Sequence, residues 1–195
     1  MKDTLIKWHN QVQMFFWVSL LGSTIYFWQL RSMGEYTQAA SFMMKLVFGT
    51  QLAQILQFGD FLVPGSFVAK LLQLSGRFGV AWFILPNSHN MLHQVMVLTL
   101  WSFGDFFRYN YYNSKSTMAG HLRYNVFIVV YPLGLFGEFL NIYDCYSNGY
   151  LPGLGWSLTH VWALYAIMMI GWAQCYVSVF KQRIKFYRDL RRKPD

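Results

Sequence analysis

A glutamate stands in an otherwise apolar run, Tyr131-Pro132-Leu133-Gly134-Leu135-Phe136-Gly137-Glu138, and a tyrosine precedes it by seven positions. Seven residues bring an α-helix back to nearly the same face, so the phenol and the carboxyl project together. At 1.5 Å of rise per residue they sit about 10 Å apart along the axis. That gap is too long for a direct hydrogen bond, yet it suits two proton-handling groups working on one substrate between them. Pro132 removes a backbone donor and predicts a kink near Ile128. Gly134 and Gly137 strip bulk from the helix, leaving either a slot for an apolar chain or, more simply, a surface for close helix packing.

Other ionisable residues in apolar surroundings are Arg77 and Asp105, with Arg108 just beyond. Charge inside a hydrocarbon zone is costly and usually faces the interior of a bundle. Asp105 and Arg108 are three apart and can pair on a helix, as a structural ion pair at headgroup level or as part of a site. Arg77 is expected to meet a carboxylate inside the bundle. His89 and His93 have a metal-ligand spacing but no third ligand, so no metal site is expected. His121 and His160 read as interfacial or core residues, and Cys145 and Cys175 as free thiols. There is no Gly-rich phosphate loop, no G-x-S-x-G elbow and no Ser/His/Asp set.

The elements that must position these groups follow from composition. Of 195 residues, 55% are hydrophobic, 20% aromatic and only 12% charged. A soluble domain carries roughly twice that charged fraction. A helix needs about 20 mostly apolar residues to cross a bilayer. Stretches of that kind run over Val12–Leu30, Ala39–Phe58, Ser66–Leu85, Met91–Phe107, Leu122–Tyr143 and Trp156–Phe180. The third is the weakest, since it holds Lys70, Gln73 and Arg77, and a five-span arrangement with that segment peripheral is the alternative. Breakers separate the spans at Ser32-Met33-Gly34, Val63-Pro64-Gly65, Pro86-Asn87-Ser88 and Leu151-Pro152-Gly153. No interdomain linker or internal repeat is visible. The expected fold is all-α: one domain over residues 1–195, a polytopic bundle of six transmembrane helices.

Charge sets the orientation. Seven of the 16 Lys and Arg lie in the last fifteen residues, so residues 181–195 read as a basic tail beside anionic lipid headgroups. Lys2 and Lys7 precede the first span, and Arg108 and Lys115 follow the fourth, in an expected cytosolic segment 108–121. The opposite loops, 86–90 and 144–155, contain neither Lys nor Arg; only Arg31 and Lys45 run against the trend. Both termini are therefore expected in the cytosol. The net charge of +8 is concentrated at a membrane flank, which argues against nucleic acid as a partner. Val12–Leu30 is longer than a signal core and lacks a small-residue cleavage site, so it reads as a span.

The polar positions fall in an ordered pattern: Trp101-Ser102, Asp105-x-x-Arg108-Tyr109-x-x-Tyr112, Leu122-Arg123-Tyr124, Phe127, Tyr131-Pro132-x-Gly134-x-x-x-Glu138, and Ile142-Tyr143. This pattern resembles the membrane (3R)-3-hydroxyacyl-CoA dehydratases, also called protein-tyrosine-phosphatase-like, of very-long-chain fatty acid elongation. The likeness runs more weakly back through Trp82, Gln73-x-Ser75-x-Arg77 and Leu62-Val63 to Gln51. The resemblance implies a six-span enzyme of the endoplasmic reticulum with a catalytic Tyr and Glu, which map onto Tyr131 and Glu138. It implies no cofactor, an acyl-CoA substrate, membrane lipid around the bundle, and the other elongation-cycle enzymes as partners. Arg77, Asp105, Arg108, Arg123 and Tyr124 are the supporting or substrate-binding candidates, with Arg108, Lys115 and Arg123 expected to attract the phosphates of CoA. The chain departs from the family at Gln54-Ile55-Leu56-Gln57, where Glu-x-x-His is usual, and at Asp105, where the family has Glu.

Two further functions compete. A non-catalytic scaffold of the elongase assembly would share the fold, and the missing Glu-x-x-His speaks for it. A small transporter would place Glu138 on a polar pathway and should show internal symmetry, which is absent. For dehydration, ordinary pKa values make Glu138 the base and Tyr131 the acid. The roles reverse if a cation such as Arg123 or Arg77 favours the tyrosinate.

Overall fold

The computed structural model of the protein describes residues 2–30, 45 and 74–192, and every regular element among them is helical. Helix α1 spans Lys2–Gln29. Residues 74–79 are α-helical, the next turn widens to a π-helix over Val80–Ile84, and Leu85–Asn87 tighten to a 3-10 turn. Pro86 accounts for this break: it donates no backbone hydrogen bond, and its ring presses on the carbonyl four residues back, at Trp82 inside the widened turn. Apart from Lys45, the expected span Ala39–Phe58 lies outside the described residues, as do the connectors at 32–34 and 63–65, the Gln54–Gln57 departure and residues 66–73 of the third span.

Helix α2 covers Met91–Ser114, α3 Thr117–Ser147, α4 the short turn Tyr150–Gly153, and α5 Leu158–Arg191. The Asn90 side chain caps α2, accepting from the amides of Leu92 at 3.1 Å and His93 at 3.3 Å. Lys115 ends it in the left-handed region at φ 53°. Ser116 then caps α3 by accepting from the Ala119 amide at 3.2 Å. The connection between α2 and α3 is thus residues 115 and 116, not the longer segment 108–121 expected. Arg108, Asn110 and Asn113 looked like loop residues because they are polar, but they extend the helix for two further turns. Likewise the expected basic tail begins as helix: α5 continues through Arg191. His160 serves as a cap, its Nδ1 accepting from the Ser157 amide at 3.1 Å.

Helix α2 lies between α1 and α3, and α5 packs on the other side of α3. The core gathers Trp17 of α1, Leu98, Trp101 and Tyr109 of α2, Ile142 and Cys145 of α3, and Val80, Ala81 and Leu85 of the broken segment. Outward-facing positions are also apolar: Phe15 is 77% exposed, Ile167 64% and Leu92 63%. Two helices among the described residues, Thr117–Ser147 and Leu158–Arg191, are long and apolar enough to cross a membrane.

The far end of α3 clamps the broken segment. One oxygen of Asp144 accepts from the Ser88 hydroxyl at 2.7 Å and from the amides of His89 and Asn90. Burial opposes the charge of Asp144, but the Ser88 hydroxyl and these amides hold its carboxyl below the usual range. The Asn148 amide donates to the Asn87 carbonyl at 2.9 Å, and the Gln94 side chain to the Ser88 carbonyl at 2.6 Å. These bonds fix residues 74–87 against α2 and α3, which sets where Arg77 falls.

Candidate active site

Arg77 reaches α2 and forms a salt bridge with Asp105, whose second oxygen lies 2.9 Å from Arg108. The carboxylate is only 3% exposed and carries a guanidinium on each side. Two cations around one anion leave net positive charge in a dry setting, where its field is least screened. The Arg77 guanidinium also covers the Trp101 ring at 5.2 Å. Arg108 donates to the Tyr109 hydroxyl at 3.1 Å.

Trp101 stands one turn before Asp105 on the same face of α2, and its indole Nε1–H donates to Oε1 of Glu138 at 2.7 Å. Tyr131 lies two turns up α3 from Glu138. Its phenol interacts electrostatically with the Cys175 thiol of α5. Its ring sits in an aromatic stack, 4.5 Å from Phe127 and 6.2 Å from Trp172 between centroids. Arg77 interacts electrostatically with both Tyr131 and Glu138.

Apart from Tyr109, these groups border one cavity of about 300 Å³ between the segment at 75–77 and helices α2, α3 and α5. Tyr131, Glu138, Arg77, Asp105, Arg108 and Arg123 line it, and the rest of the wall is mainly apolar, with Leu100, Val130, Leu135, Leu164 and Met168. A mostly apolar cleft with a few convergent polar groups is the usual form of a small-molecule site. Tyr124 does not line it. It stands behind Arg123, which donates to its hydroxyl at 3.4 Å.

Gly134 and Gly137 of α3 divide the expected roles between them. A Cβ on Gly137 would meet a Val97 methyl at 2.9 Å, so this glycine lets α2 approach closely. A Cβ on Gly134 would find its nearest neighbours at 3.9 Å, and Gly134 borders the cavity.

At the α2–α3 turn, Arg123 is buried, donating to the Tyr112 hydroxyl at 3.0 Å and to Gln182 at 3.1 Å. It packs against the rings of Tyr111, Tyr112 and Tyr124, 4.6 to 5.0 Å from their centroids. Lys115 covers two of the same rings. Burial, and then the charge of Arg123, pulls the Lys115 ammonium below the usual lysine range. Among the described residues, neither cation has a carboxylate partner. Two cations crowded together with no acid suit an incoming anion.

Trp101 and Cys175 were not among the sequence candidates. Trp101 shares its helix face with Asp105 and Arg108 at i, i+4 and i+7, a signal its membership in an aromatic-rich chain obscured. Cys175 carried no local signal, because its meeting with Tyr131 depends on how α5 docks. No group of three or more His, Cys, Asp or Glu suited to a metal occurs among the described residues.

Comparison with known proteins bears on this site. The family model described as protein tyrosine phosphatase-like protein, PTPLA, matches residues 49–189. Very-long-chain (3R)-3-hydroxyacyl-CoA dehydratase 1 of Canis lupus familiaris is 32% identical over 92 residues, covering 42% of this chain and 36% of that protein. Very-long-chain (3R)-3-hydroxyacyl-CoA dehydratase 2 of Homo sapiens is 30% identical over 102 residues, covering 47% of this chain and 39% of that protein. This chain therefore spans between a third and two fifths of those relatives' length. The probable very-long-chain (3R)-3-hydroxyacyl-CoA dehydratase of Schizosaccharomyces pombe is 25% identical over 150 residues, 72% of each chain. No solved structure matches.

Proposed function

We propose a function from one premise: the chain belongs to the protein tyrosine phosphatase-like (PTPLA) family. It is a membrane lyase that removes water from a (3R)-3-hydroxyacyl-CoA to give the trans-2-enoyl-CoA, in fatty acid elongation at the endoplasmic reticulum. The observation that carries this reading is the convergence of Tyr131 and Glu138 on one largely apolar cavity, with the Arg77 charge beside both.

Dehydration breaks a C–H bond next to the thioester and the C–O bond of the 3-hydroxyl, and forms the double bond between those carbons. One protein group must take the carbon-bound proton, and another must protonate the departing hydroxyl so that it leaves as water. A positioned acid or base contributes roughly a hundred- to ten-thousand-fold each. Glu138 takes the proton and Tyr131 supplies one, the assignment that follows from the ordinary acidities of the two groups. Arg77, held by Asp105, offers its charge to the negative charge that develops on the substrate. Proton return from Glu138 to the tyrosinate, directly or through the product water, restores the starting state.

The remaining parts of the substrate have places suited to them. Leu100, Leu135, Leu164 and Met168 suit the part of the acyl chain nearest the carbons that lose water. Arg123 and Lys115 suit the phosphates of CoA, with Tyr124 holding Arg123 from behind. The exposed apolar faces and the two long apolar helices support a bilayer setting. Within it the chain crosses six times with both termini cytosolic, next to the other enzymes of the elongation cycle. Incubating the purified full chain in detergent with (3R)- and (3S)-3-hydroxyacyl-CoA tests the reading. Enoyl-CoA is expected from the (3R) isomer alone. Absence of enoyl product from both would overturn the enzyme in favour of the scaffold.

A further inference from the structure

Elimination needs a carboxylate that is held in direction as well as in place, and Glu138 has two chemically equivalent oxygens on a flexible stem. Nothing in α3 itself orients them. The orienting contact comes from α2: the Trp101 indole donates to Oε1 at 2.7 Å, and Trp101 is 2% exposed. Among the described residues this is the hydrogen bond that Glu138 makes, so its other oxygen is left for the cavity it borders.

Trp101 is in turn held across the face of its ring. Arg77 lies over its ring at 5.2 Å, and Arg77 is tied to Asp105, which is tied to Arg108. A planar guanidinium on an indole face restricts both rings. The series Arg108, Asp105, Arg77, Trp101 therefore ends on a single donor pointed at one carboxylate oxygen. This also gives the buried acid a purpose in the site without touching substrate.

We propose that Trp101 is the positioning residue of the reaction, fixing Oε1 of Glu138 so that Oε2 meets the substrate. The inference rests on the dehydratase reading above. Misplacement of a reacting group by 1 Å can cost about a hundredfold in rate. Losing the donor is thus expected to lower turnover by about tenfold to a hundredfold while the Michaelis constant changes less than about threefold.

The test uses two replacements in the purified full chain. Trp101→Phe keeps a ring under Arg77 and removes the N–H. The benzothienyl analogue of tryptophan at position 101, with sulfur in place of N–H, keeps the whole shape and so reports even if the phenylalanine variant does not fold. Turnover and Michaelis constant are measured for both, per mole of monodisperse protein, beside wild type and Trp101→His, which retains a ring N–H. The expected result is a fall in turnover for the two donor-less proteins, partial rescue in Trp101→His, and little change in the Michaelis constant. Full turnover in the benzothienyl protein overturns the proposal while leaving the dehydratase reading intact. An inactive wild type overturns that reading and this inference with it.

Discussion

Arg123 and Asp105 show how differently two buried charges can be managed in one helical bundle. Asp105 is over-supplied with partners, since Arg77 and Arg108 both bind it, whereas Arg123 rests on tyrosine rings and hydroxyls with no acid among the described residues. A buried cation without a counter-ion is costly unless something else neutralises it. An anionic part of the substrate does so in the proposed enzyme, and Lys115 stands beside it. Replacing Arg123 and Lys115 together by Gln should raise the Michaelis constant for hydroxyacyl-CoA by about tenfold or more and leave turnover within a few-fold. Equal loss of turnover at saturating substrate would instead assign the pair to the chemical step. Tyr131 and Glu138 were legible as a pair in the sequence because a seven-residue spacing on a helix leaves little choice of face. The indole that holds Glu138 and the thiol beside Tyr131 come from other helices, so no spacing within α3 announces them.

At the scale of elements, α3 works as a spine whose side toward α2 does two different things along its length. Its Gly137 lets α2 close to contact, while Gly134 opens onto the cavity. Gly137→Ala should therefore destabilise the protein by roughly 1–3 kcal/mol, through overpacking against Val97. Gly134→Ala should leave stability nearly unchanged while it narrows the space for substrate. Thermal unfolding of both variants in one detergent distinguishes the two, and equal destabilisation would contradict the division of roles. The sequence could place the helix and the glycines, but the choice between slot and packing surface needed the neighbour. Element ends were read least well where polar residues follow the apolar run. Hydropathy stopped α2 at Phe107 and the last span at Phe180, yet the helices run on to Ser114 and Arg191. Polar side chains at a helix end obscure continuity that the backbone keeps. Pro86 marked the breaker at 86–88 but not the widened turn at 80–84 before it, and the clamp from Asp144 that secures the segment joins residues 54 to 56 positions apart.

The whole molecule carries a buried histidine beside its cationic site, and this links stability to pH. His9 lies three residues before the first expected span; burial, with Arg108 adding, pushes it down to about 4. Between about pH 6.5, where an unfolded histidine takes up its proton, and pH 4, the unfolded chain is favoured progressively. Asp144 acts in the same direction below about pH 4, because its folded carboxyl resists protonation more than an unfolded one near 3.9. The melting temperature should fall from pH 6.5 to 4, and His9→Gln should flatten that slope; an unchanged slope would remove His9 from the account. A reporter fused after Asp195 should be cytosolic if six spans and a basic C-terminal flank describe the topology, and a lumenal signal would mean an odd number of crossings. The central claim, that this bundle eliminates water through Tyr131 and Glu138, is tested most directly by turnover of (3R)-3-hydroxyacyl-CoA in Tyr131→Phe and Glu138→Gln. Both substitutions keep the shape of the side chain and remove its proton chemistry, and each is measured beside wild type at equal folded concentration. Both proteins are expected to bind substrate and melt as wild type does, with turnover reduced by at least about a hundredfold. Full turnover in either one would contradict it, making that residue structural and moving the chemistry elsewhere in the bundle.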